Sequence, residues 1–412
     1  MKALEGAAAP CGGAHASQSR RSAVLLLGAL LALFGLSMRL LFPSLSVLLP
    51  DIIRDTGISA ATAGYLTTLP VLCMGVFAPL APPSAERFGM ERTLFVVLLV
   101  LAVGTALRGW MGVPGLFIGS LLAGASLAVA NVLLPALIKR DFANRVALMM
   151  ALYTMALTAS GSIGAGLTLP LTHALDGSWA LGVSLWALPP AVMALLWTTQ
   201  LRRRTVARAR STQRLRRLAR DPLAWQVTAF MGLQSAMAYC MMGWLAPILV
   251  ARGLPGTTAG LVTSICLLMN VVGCLVIPPL AVRLPDQRAL STVLALLSGA
   301  FMLCLLFAPL ATVWLWAVLT GIVQGGLLAV SLTMIVLRSG DARVAARLSS
   351  MAQTTGYLVA AVGPLLVGLL LEWTGGFPAS GGLFAALAAG CAIAGRGAGR
   401  ARLVRVERVP AG

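Results

Sequence analysis

The stretch Gly57-Ile58-Ser59-Ala60-Ala61-Thr62-Ala63-Gly64-Tyr65-Leu66-Thr67 returns 196 residues later, without a gap, as Gly253-Leu254-Pro255-Gly256-Thr257-Thr258-Ala259-Gly260-Leu261-Val262-Thr263. Each copy carries Thr-Ala-Gly at the same position and leads into a long apolar run. A weaker echo pairs Arg145 with Arg347 and Gly161 with Gly363, each 202 residues apart. Repetition at this spacing is what a duplicated helical unit leaves in a sequence. Two such units side by side in a bilayer are related by an axis along the membrane normal.

The runs around the repeats are membrane spans. The chain is 59% hydrophobic and 10% charged, with a mean hydropathy of +0.92, where soluble domains carry about 25% charged residues. Its apolar runs are long enough to cross a bilayer as helices, and its 43 glycines suit the close approach of helices in lipid. Spans are predicted over 22–50, 60–83, 93–111, 115–138, 146–170, 179–198, 223–250, 259–282, 289–309, 313–337, 348–371 and 380–396. The expected fold is an all-α polytopic membrane protein with 12 transmembrane helices in two pseudo-symmetric six-helix bundles. The bundles occupy 22–198 and 223–396. A disordered tail precedes them over 1–21, a basic loop with nine arginines joins them over 199–222, and a basic tail follows over 397–412. The Arg20-Arg21 pair before an apolar run resembles a signal peptide, but the run is too long for one, which makes it an uncleaved first span.

A net charge of +19 does not imply nucleic acid here, because the basic residues follow topology. With both termini in the cytoplasm, every Lys and Arg except Arg39, Arg54, Arg108 and Arg252 falls in an inner loop or tail. That asymmetry orients a multi-pass protein of a bacterial-type plasma membrane, its basic loop against anionic headgroups. The seven cysteines show no CxxC or Cys/His spacing, and the chain has neither a Walker A loop nor a Ser/His/Asp set. No metal, no cofactor, no ATP-driven step and no enzymatic activity are expected. The expected partners are the lipid bilayer and a small, anionic solute, bound by a monomer.

The anionic solute is inferred from Arg39. A cation in the middle of an apolar span costs roughly 2.5–3.5 kcal/mol on insertion scales, and no carboxylate lies at comparable depth in any span. The cargo then supplies the missing negative charge. The competing readings are pairing with a helix C-terminus and snorkelling toward Asp51, which lies about 18 Å away along a straight helix. The repeat sets Ser235 opposite Arg39, so the charge sits on one half only.

The loop after span two, Glu86-Arg87-Phe88-Gly89-Met90-Glu91-Arg92-Thr93-Leu94, resembles the inner-loop signature GxLaDrxGrrxxl of the major facilitator superfamily. Glu86 holds the acidic position, Arg87 and Gly89 match, and Arg92 stands near the later basic positions. Pro82 replaces the leading Gly, and Met90 and Glu91 replace two basic residues. Within that superfamily the chain is similar to the cyanate permease and 2-nitroimidazole transporter family. Four stretches carry the similarity: 67–79, with Pro70 and Gly75; 131–140, with Asn131 and Pro135; 225–235 continuing to Gly243-Trp244; and 346–353 continuing to Gly356-Tyr357 and Gly363-Pro364. That family has Asn-x-Arg-Pro in span one. Here Ser37-Met38-Arg39-Leu40 keeps only the Arg.

The resemblance implies a central path lined by spans one, four, seven and ten, and helical spacing provides a row of small and polar residues in each. These are Gly28, Gly35, Arg39 and Ser46; Ser120, Gly124, Ala128, Asn131 and Pro135; Thr228, Gly232, Ser235, Tyr239 and Gly243, with Gln234 beside them; and Thr320, Gln324 and Ser331. Such residues also serve as glue between helices. The substrate-binding set expected is Arg39, Asn131, Gln234, Ser235, Tyr239, Gln324 and Gln353. The gating set is Glu86, Arg87, Gly89, Arg92, Arg108, Tyr153 and Tyr357, with the loop acting as a latch that closes the inner face. Arg108, at the outer end of span three, is expected to snorkel to the surface, and the two tyrosines serve equally as interfacial anchors. Glu372, at the outer end of span eleven, is the nearest approach to a membrane carboxylate. Three functions fit: a secondary transporter of a small anionic or polar solute such as cyanate, an exporter of nitroimidazole-like compounds with a Met-rich pocket, and a ligand sensor that does not transport.

Overall fold

The computed structural model describes residues 27–142, 145–175, 177–201, 218–340 and 342–404. The expected tail 1–21, most of the arginine-rich loop and the last eight residues lie outside the described residues. Twelve helices are long and apolar enough to cross a membrane. They are α1 Leu27–Thr56, α2 Ala60–Phe88, α3 Met90–Leu107, α4 Gly112–Asp141, α5 Leu148–Ala174, α6 Trp179–Gln200, α7 Pro222–Ala251, α8 Gly256–Arg283, α9 Arg288–Phe307, α10 Leu310–Leu337, α11 Arg347–Thr374 and α12 Phe377–Ala398. No strand occurs among the described residues. The fold is the expected all-α polytopic one.

Helix ends follow local chemistry. Ser59 starts α2 by accepting the Thr62 N–H at 3.2 Å. Asp221 starts α7 by accepting the Leu223 N–H at 2.7 Å, with Pro222 at the first helical position, where its missing N–H costs nothing. Gly57 ends α1 at φ +67°, and Gly89 turns the chain between α2 and α3 at φ +87°, conformations that favour glycine. The first span runs six residues past its expected end, so Asp51 and Arg54 are both helical.

Each half packs by letting backbones touch. A Cβ on Gly325 would land on the Asn270 carbonyl where α10 crosses α8, and one on Gly321 would meet the Cys266 carbonyl. Without a solvent-driven hydrophobic force between helices in lipid, such close contact is a main source of cohesion. Gly325→Val therefore destabilises the C-terminal half by about 3 kcal/mol or more, since the atom it meets is backbone and cannot rotate away. The check is a lowered thermal midpoint of the detergent-solubilised protein.

The halves meet along two seams on the face opposite the basic loops. On one, α2 and α11 approach through Gly64 and Gly368, and the Glu372 carboxylate accepts the Ala61 N–H at 2.6 Å. On the other, α5 and α8 meet at Ser162 and Ser264, whose hydroxyls lie 2.9 Å apart and each reach the other's backbone carbonyl at 2.8 Å. Toward the basic face the halves part around a cavity of about 700 Å³.

Candidate functional site

The site begins with an interruption in α1. The helix runs to Met38, breaks at Arg39-Leu40, and resumes at Leu41. Pro43 explains the break: it has no N–H for the Arg39 carbonyl, and its ring pushes that carbonyl aside. The Arg39 N–H goes instead to the Ser160 hydroxyl of α5 at 3.0 Å. Irregular backbone at this depth occurs where protein or a wet cavity surrounds it.

The half-buried Arg39 side chain opens onto a small cavity of about 40 Å³ between the halves, room for only a few atoms beyond a water. Gln234, Ser235 and Tyr239 of α7, Asn270 of α8, Gln324 of α10 and Tyr357 of α11 share its wall. Among the described residues the Arg39 guanidinium has neither a hydrogen-bond nor an ion-pair partner. Asp51 is taken by Arg54 at 3.0 Å, so the snorkelling alternative fails. Gln234 donates to the Ser235 hydroxyl at 2.9 Å and to the Met231 sulfur at 3.4 Å. The amide carbonyls of Gln234 and Gln324 are buried with no partner among the described residues. Phe42, Tyr239 and Tyr357 form an aromatic row, with ring centroids 5.4 and 6.3 Å apart. The arrangement offers a cation, amides, hydroxyls and ring faces to something small.

The other expected residues divide. Asn131 and Gln353 line the wide cavity on the basic face rather than the small one. Asn131 accepts the Tyr153 hydroxyl proton at 3.3 Å, and Gln353 donates to Ser349 at 2.9 Å. Tyr357 lies on the wall of both cavities, between them. Tyr153 is buried inside the N-terminal half, not at an interface. Gly124 packs against Pro70 and Cys73 of α2, and Gly232 against Gly356 of α11, so parts of the predicted rows are helix glue.

Arg108 requires a correction. It does not snorkel to the surface: it is fully buried and donates Nη1 to the Leu41 carbonyl at 3.0 Å, just past the α1 break. With 18 residues, α3 ends level with the middle of the 30-residue α1, which places a cation expected at the surface deep in the bundle. Among the described residues the loop expected to act as a latch makes no ion pair through Glu86, Arg87 or Arg92. Glu86, Arg87 and Arg92 are exposed, and Arg87 lies over the Phe88 ring at 5.3 Å. Glu91, one of the three departures from the signature, is the buried acid of this loop, paired with Arg140 at 2.6 Å, and its carbonyl accepts the Trp197 indole N–H.

Asn270 and Thr158, from α8 and α5, were not among the residues picked out by sequence and do line the small cavity. An amide isolated in the most apolar span was the available signal for Asn270.

The Major Facilitator Superfamily model matches residues 25–319. A 2-nitroimidazole transporter of Escherichia coli (strain K12) is 36% identical over 394 residues, covering 94% of this chain and 99% of that protein. An uncharacterized transporter of Bacillus subtilis (strain 168) is 35% identical over 365 residues, 88% of this chain and 90% of that one. A cyanate transport protein of Escherichia coli is 28% identical over 348 residues, 84% and 90% of the two chains. Among solved structures, a variant of the nucleoside transporter NupG superposes with a TM-score of 0.72 at 14% identity, covering 90% of this chain and 98% of that one. A D-xylose–proton symporter does so with a TM-score of 0.68 at 14% identity, covering 90% and 96%.

Proposed function

Given that this chain belongs to the Major Facilitator Superfamily of membrane transporters, we propose that it carries a small anionic or polar, electron-rich solute by alternating access, with Arg39 as the recognising cation. One observation carries the reading: a guanidinium with no protein acid to neutralise it, among the described residues, opens onto a polar cavity between the two halves. In a low-dielectric site such a group favours a ligand oxygen or nitrogen bearing negative charge, and it offers two parallel donors to a carboxylate- or nitro-like edge. The basic face is taken as cytoplasmic by its Lys and Arg content, which makes this conformation open to the inside. The sealed seams on the opposite face and the wide cavity on the basic face support that assignment.

Nitroaromatic export is the second reading. It is favoured by the row of Phe42, Tyr239 and Tyr357 and by the amide carbonyls of Gln234 and Gln324, unpartnered among the described residues, which suit a planar ring carrying an N–H. Counterflow in proteoliposomes tests both. Vesicles preloaded with unlabelled cyanate or 2-nitroimidazole are expected to accumulate the matching radiolabelled solute transiently. A protein whose midpoint either solute raises, but which supports counterflow of neither, is a receptor and not a carrier.

A further inference from the structure

We infer that Ser160 is a positioning residue for Arg39, and that together with Arg108 it braces the interruption in α1 from which the guanidinium is presented. The inference rests on the reading of Arg39 as the recognising cation.

Breaking a helix in lipid leaves backbone groups that must find new partners, each costing several kcal/mol if it does not. Here the partners are side chains from neighbouring helices. Ser160 is fully buried, and its hydroxyl accepts the Arg39 N–H at 3.0 Å. Arg108 is fully buried on α3 and holds the Leu41 carbonyl at 3.0 Å from the other side of the break. Gly164, one turn beyond Ser160, lets α5 come close enough that a Cβ there would lie 2.9 Å from the Leu40 carbonyl. At Gly35, one turn before the break, an added Cβ would meet Ala156 at 3.2 Å. Ala156, Ser160 and Gly164 are spaced by four, so one face of α5 is laid along the interrupted segment.

Two alternatives compete for the Arg39 N–H: the Ser160 oxygen, and the Gly35 carbonyl four residues back, which would continue the α-helix through Arg39. The second would redirect the side chain around the helix axis, away from its present opening onto the cavity. Removing the hydroxyl removes the first alternative without touching the ligand. The effect belongs in affinity, because the charge is retained and only its aim is lost.

The test is made on the full chain in proteoliposomes, with radiolabelled cyanate and 2-nitroimidazole as probes. For whichever probe the parent carries, Ser160→Ala raises KM about tenfold, keeps Vmax within twofold and leaves the thermal midpoint unchanged, and Ser160→Thr, which restores an acceptor oxygen, returns KM to within about threefold of the parent. Arg108→Lys, which keeps a donor at shorter reach, raises KM in the same direction. An unchanged KM in Ser160→Ala overturns the brace, as does a loss confined to Vmax with a lowered midpoint. If Arg39→Gln abolishes transport while Ser160→Ala is silent, the brace is wrong and the function proposed for Arg39 stands. If Arg39→Gln is itself silent, that function falls, and the brace with it.

Discussion

Arg39→Gln lowers transport of an anionic solute by about 30-fold or more and leaves the protein as stable as the parent, or more so. The loss of function follows from the ligand side. Removing one partner of a desolvated, hydrogen-bonded charge pair costs about 2–5 kcal/mol, roughly 30-fold to several thousandfold. The gain in stability follows from the protein side. Among the described residues no carboxylate or hydrogen-bond acceptor meets the Arg39 guanidinium, so the empty protein carries a desolvation cost that a neutral amide removes. Arg39→Lys keeps the charge but loses the planar pair of donors, and is expected to lie between parent and Gln, about tenfold down. Initial rates in proteoliposomes, read beside thermal midpoints, check both halves of the prediction. Full transport by Arg39→Gln at normal incorporation would falsify the role given to this residue.

Gly368→Leu stops transport by acting on the seam and not on the site. A Cβ at Gly368 would lie 2.6 Å from the Gly64 Cα and 2.7 Å from the Ala60 carbonyl, both backbone atoms of the opposite half. The atoms met are backbone of the opposite half and cannot rotate away, so the clash is relieved by keeping the halves apart on that face rather than by unfolding either. Turnover is expected to fall below about 1% of the parent, because a carrier that cannot close one side cannot complete its cycle. The population shifts toward closure of the basic face. A cysteine placed at Gln353, on the wide cavity, then reacts more slowly with a membrane-impermeant thiol reagent than the same cysteine in the parent background. Normal turnover, or faster labelling at that position, sinks this account of the seam.

Helical phase located much of the small cavity. The α7 row brought Gln234, Ser235 and Tyr239 to it, and the α10 row brought Gln324. Phase divided the α4 row: Ala128, Asn131 and Pro135 line the wide cavity while Gly124 packs on α2, because in lipid the same small and polar residues serve both cohesion and lining. Asn131 and Gln353 face a cavity, but the wide one. Their displacement reflects depth, which position along a span does not fix when spans differ in length and tilt. Arg108 is the plainest case: it stands at the end of its helix, yet α1 continues well past it.

The repeat, the run lengths and the distribution of Lys and Arg determine a two-bundle membrane protein, because hydrocarbon admits only helices or closed barrels and insertion follows charge. The cost of the Arg39 guanidinium within its span is likewise written in the sequence, since no carboxylate lies at comparable depth in any span. Pro43 marks in the sequence where α1 breaks, but tertiary structure alone decided that Ser160 and Arg108 hold the break, and that Asn270 and Thr158 join the wall. Those facts depend on which helices lie against which and at what height. A residue's chemistry does not contain that information until its neighbours across the bundle are in place.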